Sequence, residues 1–344
     1  MKITWRSPSN IALIKYWGKH GIQLPNNPSL SLTLSEAYTD TSVELKKKRS
    51  KKEIEIDFLF EGEKKPPFEE KLLAFLSTIK NDVSFIKNYR LIIRSENSFP
   101  HSAGIASSAS SMGALALCLL SQQFLTGKQI NGDFFQTASN YARLGSGSAA
   151  RSIYGGFTVW GKTDSIKNSN DNYAIQYPIE YHKDFTDLQD TILIINSDEK
   201  NVSSRAGHAL MNNHPMEKQR YVNANKRLQD ILLALKKGDW NLFCETVEAE
   251  ALELHALMMT STPSFILMKP NTLAVIEKIR QFRIETKIPV CFTLDAGPNV
   301  HVIYPYFEKK KVRNFIQSEL LQYCVKKKVI YDVMGNGPKQ IVED

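Results

Sequence analysis

The chain has 344 residues, of which 42% are apolar and 23% are charged, and its net charge is +8. This length predicts a substantial core in two domains or one large one. No run of about 18 apolar residues occurs and the N-terminus lacks the apolar core of a signal peptide, so no membrane span is expected and a cytoplasmic location is the default expectation.

Alternating residues at 42–45 and 54–59 predict a β-hairpin whose tip is the lysine-rich segment 46–52. We interpret this tip as a solvated turn rather than a nucleic-acid patch, because no aromatic residues interleave with the lysines. The other elements predicted in the first half are a helix at 67–79, a strand at 91–94, helices at 110–125 and 133–144, and a strand at 155–160.

The second half has longer helical patterns. It predicts helices at 216–237, 240–259 and 271–286, and strands at 191–195, 290–294 and 300–304, with a tight turn at 295–299 between the last two strands. A strand-rich first half followed by a helix-rich second half indicates the α+β class. The four cysteines form no C-x-x-C pair, so they are predicted to be buried free thiols rather than zinc ligands or disulfides.

The segment 100–111 combines small residues with five serines between a predicted strand and an apolar helix. A loop without bulky side chains allows backbone N–H groups to approach an anion, and a helix that begins there adds its positive end. The segment is not a Walker A motif. An ordinary helix N-cap is the alternative, but one serine would suffice for a cap, so we favour a phosphate-binding loop.

Three further segments could carry charge-dependent chemistry. Asn10, Lys15 and Lys19 lie among apolar residues, where the alternative is a surface strand with lysines facing water. The segment 143–152 presents Gly-Ser-Gly-Ser and an arginine suited to a bidentate contact with carboxylate or phosphate, where the alternative is a flexible linker. Asp295 lies in the predicted turn and is uninformative alone. The seven histidines form no metal-binding pair, so no protein-built metal site is predicted.

Taken in this order, the segments resemble the diphosphomevalonate decarboxylase family of the GHMP kinase superfamily. The resemblance covers residues 5–304 and is carried by Asn10-Ile11-Ala12-Leu13-Ile14-Lys15-Tyr16-Trp17-Gly18-Lys19, Ala103-Gly104-Ile105-Ala106-Ser107-Ser108, Gly145-Ser146-Gly147-Ser148-Ala149 and Asp295-Ala296-Gly297-Pro298-Asn299. It implies an α+β, two-domain GHMP-kinase architecture. A domain like domain 2 of ribosomal protein S5, with the ATP site, would cover residues 1–185, and a ferredoxin-like domain would cover 186–344.

The resemblance also implies a reaction. ATP, with magnesium, would phosphorylate the tertiary hydroxyl of mevalonate 5-diphosphate, after which phosphate and carbon dioxide would leave and isopentenyl diphosphate would form. Magnesium would bridge phosphate oxygens without dedicated protein ligands. The expected partners are these two small molecules and a second copy of the chain, with neither nucleic acid nor membrane.

The implied roles of individual residues divide by anion. The catalytic group would be Asp295, Lys15, Arg151 and Asn10, with Arg151 on the substrate carboxylate. The substrate diphosphate would be held by Tyr16, Lys19, Ser146, Gly147, Ser148, Ser204 and Arg205. The ATP phosphates would be wrapped by Ala103, Gly104, Ile105, Ala106, Ser107 and Ser108.

Several alternatives stay open at this level. Asp295 could be a general base, or it could orient the hydroxyl and stabilise positive charge at the tertiary carbon, because a nearby lysine would make it a weak base. A kinase acting on the monophosphate or on free mevalonate is a rival, although such kinases tend to lack the Asp–Lys pair. A catalytically silent anion- or nucleic-acid-binding relative is another. His101-Ser102 departs from the Thr-Ala pair of many relatives, and the tail beyond Lys309, with Gly335-Asn336-Gly337, has no assigned part.

Overall fold

The structure is a computed structural model that describes residues 2–99, 105, 107–127, 132–197 and 204–342, without the side chains of Ser204 and Arg205. The strands are β1 (Lys2–Ile14), β2 (Lys19–His20), β3 (Leu24–Pro25), β4 (Ser29–Lys47), β5 (Glu55–Phe60), β6 (Tyr89–Asn97), β7 (Phe157–Trp160), β8 (Ile175–Gln176), β9 (Gln189–Leu193), β10 (Cys291–Leu294), β11 (Val300–Tyr304), β12 (Val329–Val333) and β13 (Lys339–Ile341). The helices are α1 (Pro66–Ile79), α2 (Ser107–Leu125), α3 (Phe134–Gly145), α4 (Ser204–Ala209), α5 (Glu217–Lys237), α6 (Trp240–Met259), α7 (Pro270–Thr286) and α8 (Lys309–Phe315). The α+β class is confirmed.

The first sheet is built around the long antiparallel pair β1 and β4. Its order is β13-β1-β4-β6-β5, and β7 pairs with β4 beyond the end of β6. The register of β1 against β4 shifts between Pro8 and Asn10 and again between Ala12 and Ile14. Such irregularities turn side chains away from the regular alternation of a strand. They occur where β1 carries Asn10 and approaches Lys15.

The predicted hairpin around the lysine-rich segment is wrong. The strand β6 lies between β4 and β5, antiparallel to β4 and parallel to β5. The alternation at 42–45 and 54–59 correctly identified two strands, but alternation reports only that a strand has one buried face. Alternation does not report which strand lies beside it. The strand β6, which begins 42 residues after the end of β4, could therefore insert between β4 and β5.

The second sheet, β10-β11-β9-β12, is antiparallel and packs against the later helices. The tail, unassigned from sequence, joins the two sheets. Asp332 of β12 accepts hydrogen bonds from the backbone N–H groups of Ser35, Glu36 and Ala37 at 2.7–2.9 Å, and β13 pairs with β1. The Gly335 carbonyl accepts a hydrogen bond from the Gly156 N–H at 2.8 Å. The turn Gly335-Asn336-Gly337 therefore packs against the residues that immediately precede β7.

Helix α2 is buried on nearly all sides, as its apolar sequence predicts. It packs against β1, and a Cβ at Gly113 would lie 2.5 Å from the Ser7 Oγ. The helix begins at Ser107, three residues earlier than predicted. Its first turn therefore includes three serines of the predicted phosphate-binding segment, Ser107, Ser108 and Ser110.

A buried ionic network connects α5 and α6 to the end of β1. Arg220 Nη1 lies 2.7 Å from Glu250 Oε1, and Arg227 and Glu253 extend the network. Both backbone groups of Lys15 join it: the Lys15 N–H donates to Glu250 Oε2 at 2.8 Å, and Arg220 Nη2 donates to the Lys15 carbonyl at 2.9 Å. The network therefore sets the position of Lys15.

The four cysteines are buried and free, as predicted. Among the described helices, none combines the length and the apolar character needed to cross a bilayer.

We expect Glu250→Gln to lower the free energy of unfolding by about 3–5 kcal/mol, because it removes one partner of a fully buried ion pair and leaves Arg220 undercompensated. Glu253→Gln is the matched control, since that side chain is 18% exposed and does not contact Lys15. Denaturant titration of the three proteins measures the difference. Equal losses in the two variants would contradict a special role for the buried pair.

Candidate active site

A polar pocket lies where the end of β1 meets the turn that follows β10. Six residues singled out from the sequence line it: Asn10, Lys15, Tyr16, Ser148, Arg151 and Asp295. They come from positions up to 285 residues apart in the chain, counting from 10 to 295. The pocket therefore brings together three segments that were predicted from the sequence, 10–19, 143–152 and 295–299, in a single site.

Lys15 is almost completely buried, so the alternative of a surface lysine is wrong. Its side chain is 2% exposed, its Nζ lies 4.0 Å from Asp295 Oδ1, and it donates to the Ala12 carbonyl at 2.6 Å. Burial lowers the pKa of Lys15 to about 8, while the Asp295 and Glu250 carboxylates oppose this and the Arg151 and Arg220 cations add to it. The ammonium form thus prevails at neutral pH.

Asp295 lies in a turn that three elements hold. His255 of α6 contacts the Asp295 carbonyl oxygen at 3.0 Å. Thr272 of α7 donates to the Pro298 carbonyl at 2.7 Å, and Asn299 Oδ1 accepts the backbone N–H of Ile195 at 2.8 Å. The Asp295 side chain keeps 30% exposure and faces the pocket. These contacts therefore fix the position of the turn, while the Asp295 carboxylate stays accessible to a ligand.

Arg151 lies in the 3-10 helix Gly147–Ile153 and is buried in a polar frame. Its Nε donates to Asn10 Oδ1 at 3.2 Å and its Nη1 to Ser29 Oγ at 2.7 Å. Asn10 in turn donates to Ser152 Oγ at 2.8 Å. Burial lowers the pKa of Arg151 to about 10, with Asp295 opposing, so the guanidinium remains charged and ready to bind an anion.

Tyr16 presents a neutral hydroxyl with no hydrogen-bond partner among the described residues. Burial raises its pKa well above the ordinary tyrosine value. A Cβ at Gly147 would lie 2.8 Å from the Tyr16 Oη, so a glycine is needed there for close approach. The hydroxyl is available to donate to a bound anion.

The other predicted diphosphate residues are placed less uniformly. Lys19 donates from its Nζ to Gln23 Oε1 at 2.8 Å within the β2–β3 ribbon and does not line the pocket. Ser146 joins Ser108 at 3.2 Å between hydroxyl oxygens. The side chains of Ser204 and Arg205 lie outside the described residues.

Three of the six predicted ATP residues are described. Ser107 and Ser108 form the first turn of α2, whereas the Ile105 side chain is buried in the core and its carbonyl accepts from Ser9 Oγ at 2.7 Å. Ala103, Gly104 and Ala106 lie outside the described residues. The described part of the loop thus places two hydroxyls at a helix start.

An apolar pocket of about 210 Å³ opens beside the same helix start, and the sequence analysis missed it. It is lined by Ser107, Ser108, Ser111, Met112, Phe58, Phe60, Phe68, Lys71, Leu72, Ile93, Ser95, Thr41 and Leu115. Its aromatic residues come from β5 and α1, whose sequence patterns indicate only ordinary buried faces. The Ser108–Ser146 contact leads from this pocket towards the polar one, where Ser148 lies.

The sequence analysis also missed Ser29, Trp160 and His208. Ser29 orients Arg151, the Trp160 ring packs against Tyr16 with centroids 4.6 Å apart, and His208 lines the polar pocket. None has a local sequence signal, although His208 directly follows the polar segment Ser203-Ser204-Arg205-Ala206-Gly207. Within the described parts of the chain, no three His, Cys, Asp or Glu residues are grouped to hold a metal ion.

Family models match both halves of the chain. Residues 7–174 match the diphosphomevalonate decarboxylase-like N-terminal domain, and residues 191–341 match the mevalonate 5-diphosphate decarboxylase C-terminal domain. The diphosphomevalonate decarboxylase of Saccharomyces cerevisiae is 31% identical over 330 residues, covering 90% of this chain and 79% of that protein.

Solved structures agree over the full length. The mevalonate diphosphate decarboxylase of Staphylococcus aureus is 29% identical with a TM-score of 0.84, covering 99% of this chain and 98% of that one. The enzyme of Enterococcus faecalis is 30% identical with a TM-score of 0.82, covering 99% of each chain. A protein called MDDEF, solved in complex with MVAPP, AMPPCP and magnesium, is 31% identical with a TM-score of 0.83 and 99% coverage of each chain. Both the sequence and the fold therefore agree with the resemblance seen in the sequence motifs, and the chain belongs to the diphosphomevalonate decarboxylase family.

Proposed function

We propose that the chain catalyses the ATP-dependent decarboxylation of mevalonate 5-diphosphate to isopentenyl diphosphate, releasing ADP, phosphate and carbon dioxide. The observation that carries this proposal is the buried Lys15 ammonium beside Asp295, in one pocket with Arg151 and Asn10. The pocket thus combines a carboxylate that a ligand can reach, an ammonium beside it and a guanidinium suited to an anionic group. The complex of MDDEF with MVAPP and AMPPCP supports the same pair of ligands.

In the first step the tertiary hydroxyl oxygen of the substrate bonds to the γ-phosphorus of ATP and ADP leaves. We assign Asp295 to orient this hydroxyl and to take up its proton as the bond to phosphorus forms, with Lys15 holding the carboxylate in place. The bond between the tertiary carbon and the new phosphate then breaks. The electron pair of the bond to the carboxylate forms the alkene, and carbon dioxide departs. Arg151, held by Asn10 and Ser29, would fix the carboxylate for this step.

The substrate diphosphate would lie against the Tyr16 hydroxyl, Ser148 and the Gly147 backbone, with Lys19, Ser146, Ser204 and Arg205 assigned to its outer oxygens. The loop Ala103–Ser108 would hold the ATP phosphates, with Ser108 as the direct hydroxyl contact. The apolar pocket beside Ser107 fits the adenine base, because its walls include three phenylalanine rings.

Magnesium bound to the ATP phosphates would neutralise charge that develops during transfer. The hydroxyls of Ser107 and Ser108 at the start of α2 would donate hydrogen bonds to oxygens of the ATP phosphates, which would themselves supply oxygen ligands to the magnesium ion.

We also propose the domain division given above, with an S5-like domain over 1–185 and a ferredoxin-like domain over 186–344. The two-sheet architecture supports it, although β13 returns to the first sheet. A homodimer and a cytoplasmic location stay predictions.

The direct test is a product assay with ATP, magnesium and, side by side, mevalonate, its monophosphate and its diphosphate. We expect stoichiometric ADP and carbon dioxide from the diphosphate alone, because two cationic residues, Lys19 and Arg205, are assigned to the diphosphate oxygens. ADP without carbon dioxide from any of the three acids would assign the chain to the kinases instead.

We expect Asp295→Asn to lower turnover by about 10²–10⁴-fold, the range typical of removing a group that handles the reacting proton. Substrate affinity should change little, because Arg151 and Tyr16 are untouched. Asp295 is assigned to the phosphoryl-transfer step, and decarboxylation can only follow that step. The rates of ADP and carbon dioxide release should therefore fall in parallel.

Asp164→Asn is the matched control, because Asp164 is exposed and lies outside the pocket. Accumulation of a phosphorylated, undecarboxylated intermediate by Asp295→Asn would contradict the assignment and indicate a role in the second step.

The pH dependence of kcat/KM should report Lys15. The pKa of Lys15 is lowered to about 8, so its ammonium form is lost as pH rises through that value, and kcat/KM should fall on the alkaline side there. An ordinary lysine would titrate near 10.4. Lys15→Arg keeps the charge at all these pH values and should remove the alkaline limb. A wild-type profile that stays flat to about pH 9.5 would refute this role of Lys15.

A further inference from the structure

His208 has no role in the assignments above, yet it lines the polar pocket together with Arg151, Ser148 and Asp295. It lies in the short helix α4 and is 8% exposed. A buried imidazole must have its ring nitrogens satisfied or directed at a ligand.

One ring nitrogen is committed to the backbone. The Gly18 N–H donates to His208 Nδ1 at 3.1 Å. A neutral imidazole that accepts at Nδ1 carries its proton on Nε2. This single contact therefore selects the tautomer and leaves Nε2–H as a donor.

The ring is also held in orientation by aromatic neighbours. Its centroid lies 4.3 Å from the Tyr16 ring and 4.6 Å from the Trp17 ring. A Cβ at Gly207 would lie 2.5 Å from Trp17 Cη2, so only a glycine allows α4 to bring His208 this close. The donor direction is thus set before any ligand binds.

No described residue accepts a hydrogen bond from Nε2. Because His208 is buried with the Lys19 and Arg151 cations nearby, its pKa is lowered to about 3 and it stays neutral at physiological pH. Such a group donates one directed hydrogen bond and adds no further positive charge to a pocket that already holds Arg151 and Lys15. An anion with oxygens in several directions, such as a phosphate, matches this arrangement.

We propose that His208 is a further substrate-binding residue, whose Nε2–H donates to a phosphate oxygen of the bound diphosphate. This inference rests on the proposed function, because it takes the diphosphate substrate from it. It assigns the segment from Gly207 to His208 a direct part in binding, and it explains why the imidazole is locked against Gly18.

Two substitutions separate the two nitrogens. His208→Asn places its amide oxygen near the Nδ1 position and can keep the Gly18 contact, but it removes the Nε2 donor. His208→Gln places its amide nitrogen near the Nε2 position and can keep the donor. Calorimetric titration with mevalonate 5-diphosphate and steady-state kinetics measure both variants.

We expect His208→Asn to raise Kd and KM for the diphosphate by about tenfold or more, as for one hydrogen bond to a charged group, with the KM for ATP unchanged. His208→Gln should recover part of this affinity. Wild-type affinity in His208→Asn would overturn the proposal, and so would equal losses in the two variants. If the wild type itself neither binds the diphosphate nor releases carbon dioxide, the proposed function fails instead.

A spectroscopic measurement on the wild type avoids any folding defect of the variants. Side-chain nitrogen NMR of His208 should show the Nε2–H tautomer in the free protein. Saturation with the diphosphate should shift the Nε2–H proton while the tautomer is kept. An Nδ1–H tautomer, or an unchanged Nε2–H signal at saturation, would exclude the assigned hydrogen bond.

Discussion

The site depends on how the backbone of Lys15 is held. Its N–H and its carbonyl are both bound by a buried ion pair, Glu250 and Arg220, that belongs to two helices of the other half of the chain. A lysine ammonium in an apolar setting is costly unless its position brings compensating charge. The network fixes that position. It also brings the Glu250 carboxylate close enough to oppose, in part, the lowering of the Lys15 pKa by burial.

The other charged groups of the polar pocket are connected to Lys15 by a short series of contacts. Lys15 lies beside Asp295, and the Asp295 turn is mounted on α6 and α7 through His255 and Thr272. Arg151 is mounted on the opposite side through Asn10 and Ser29. Each charged group therefore has its side chain directed by a neighbour that is itself packed, which is the arrangement that preorganised catalysis needs. The substrate would meet charges that do not have to move.

The two pockets share one structural element, the first turn of α2. Its serines line the apolar pocket, and the Ser108–Ser146 contact leads to the polar pocket where Ser148 lies. A nucleotide in the first pocket would thus present its phosphates towards the acid in the second. The deep packing of α2 against β1, through Gly113 and Ser7, holds this turn close to the strand that carries Asn10.

The sequence by itself determined the elements with strong periodicity and most of the charged residues of the pocket, because apolar spacing and unusual local composition are encoded in neighbouring residues. It also identified the family, since motifs such as 10–19 and 295–299 are contiguous. Only the tertiary structure decided that β6 separates β4 from β5, that the tail joins both sheets, and that Lys15 is buried rather than facing water. It likewise decided that Glu250 and Arg220 hold the backbone of Lys15, that Ser29 contacts Arg151, and that His208 lines the polar pocket. These facts depend on pairing between distant segments and on burial, and neither leaves a mark in the local pattern around the residues concerned.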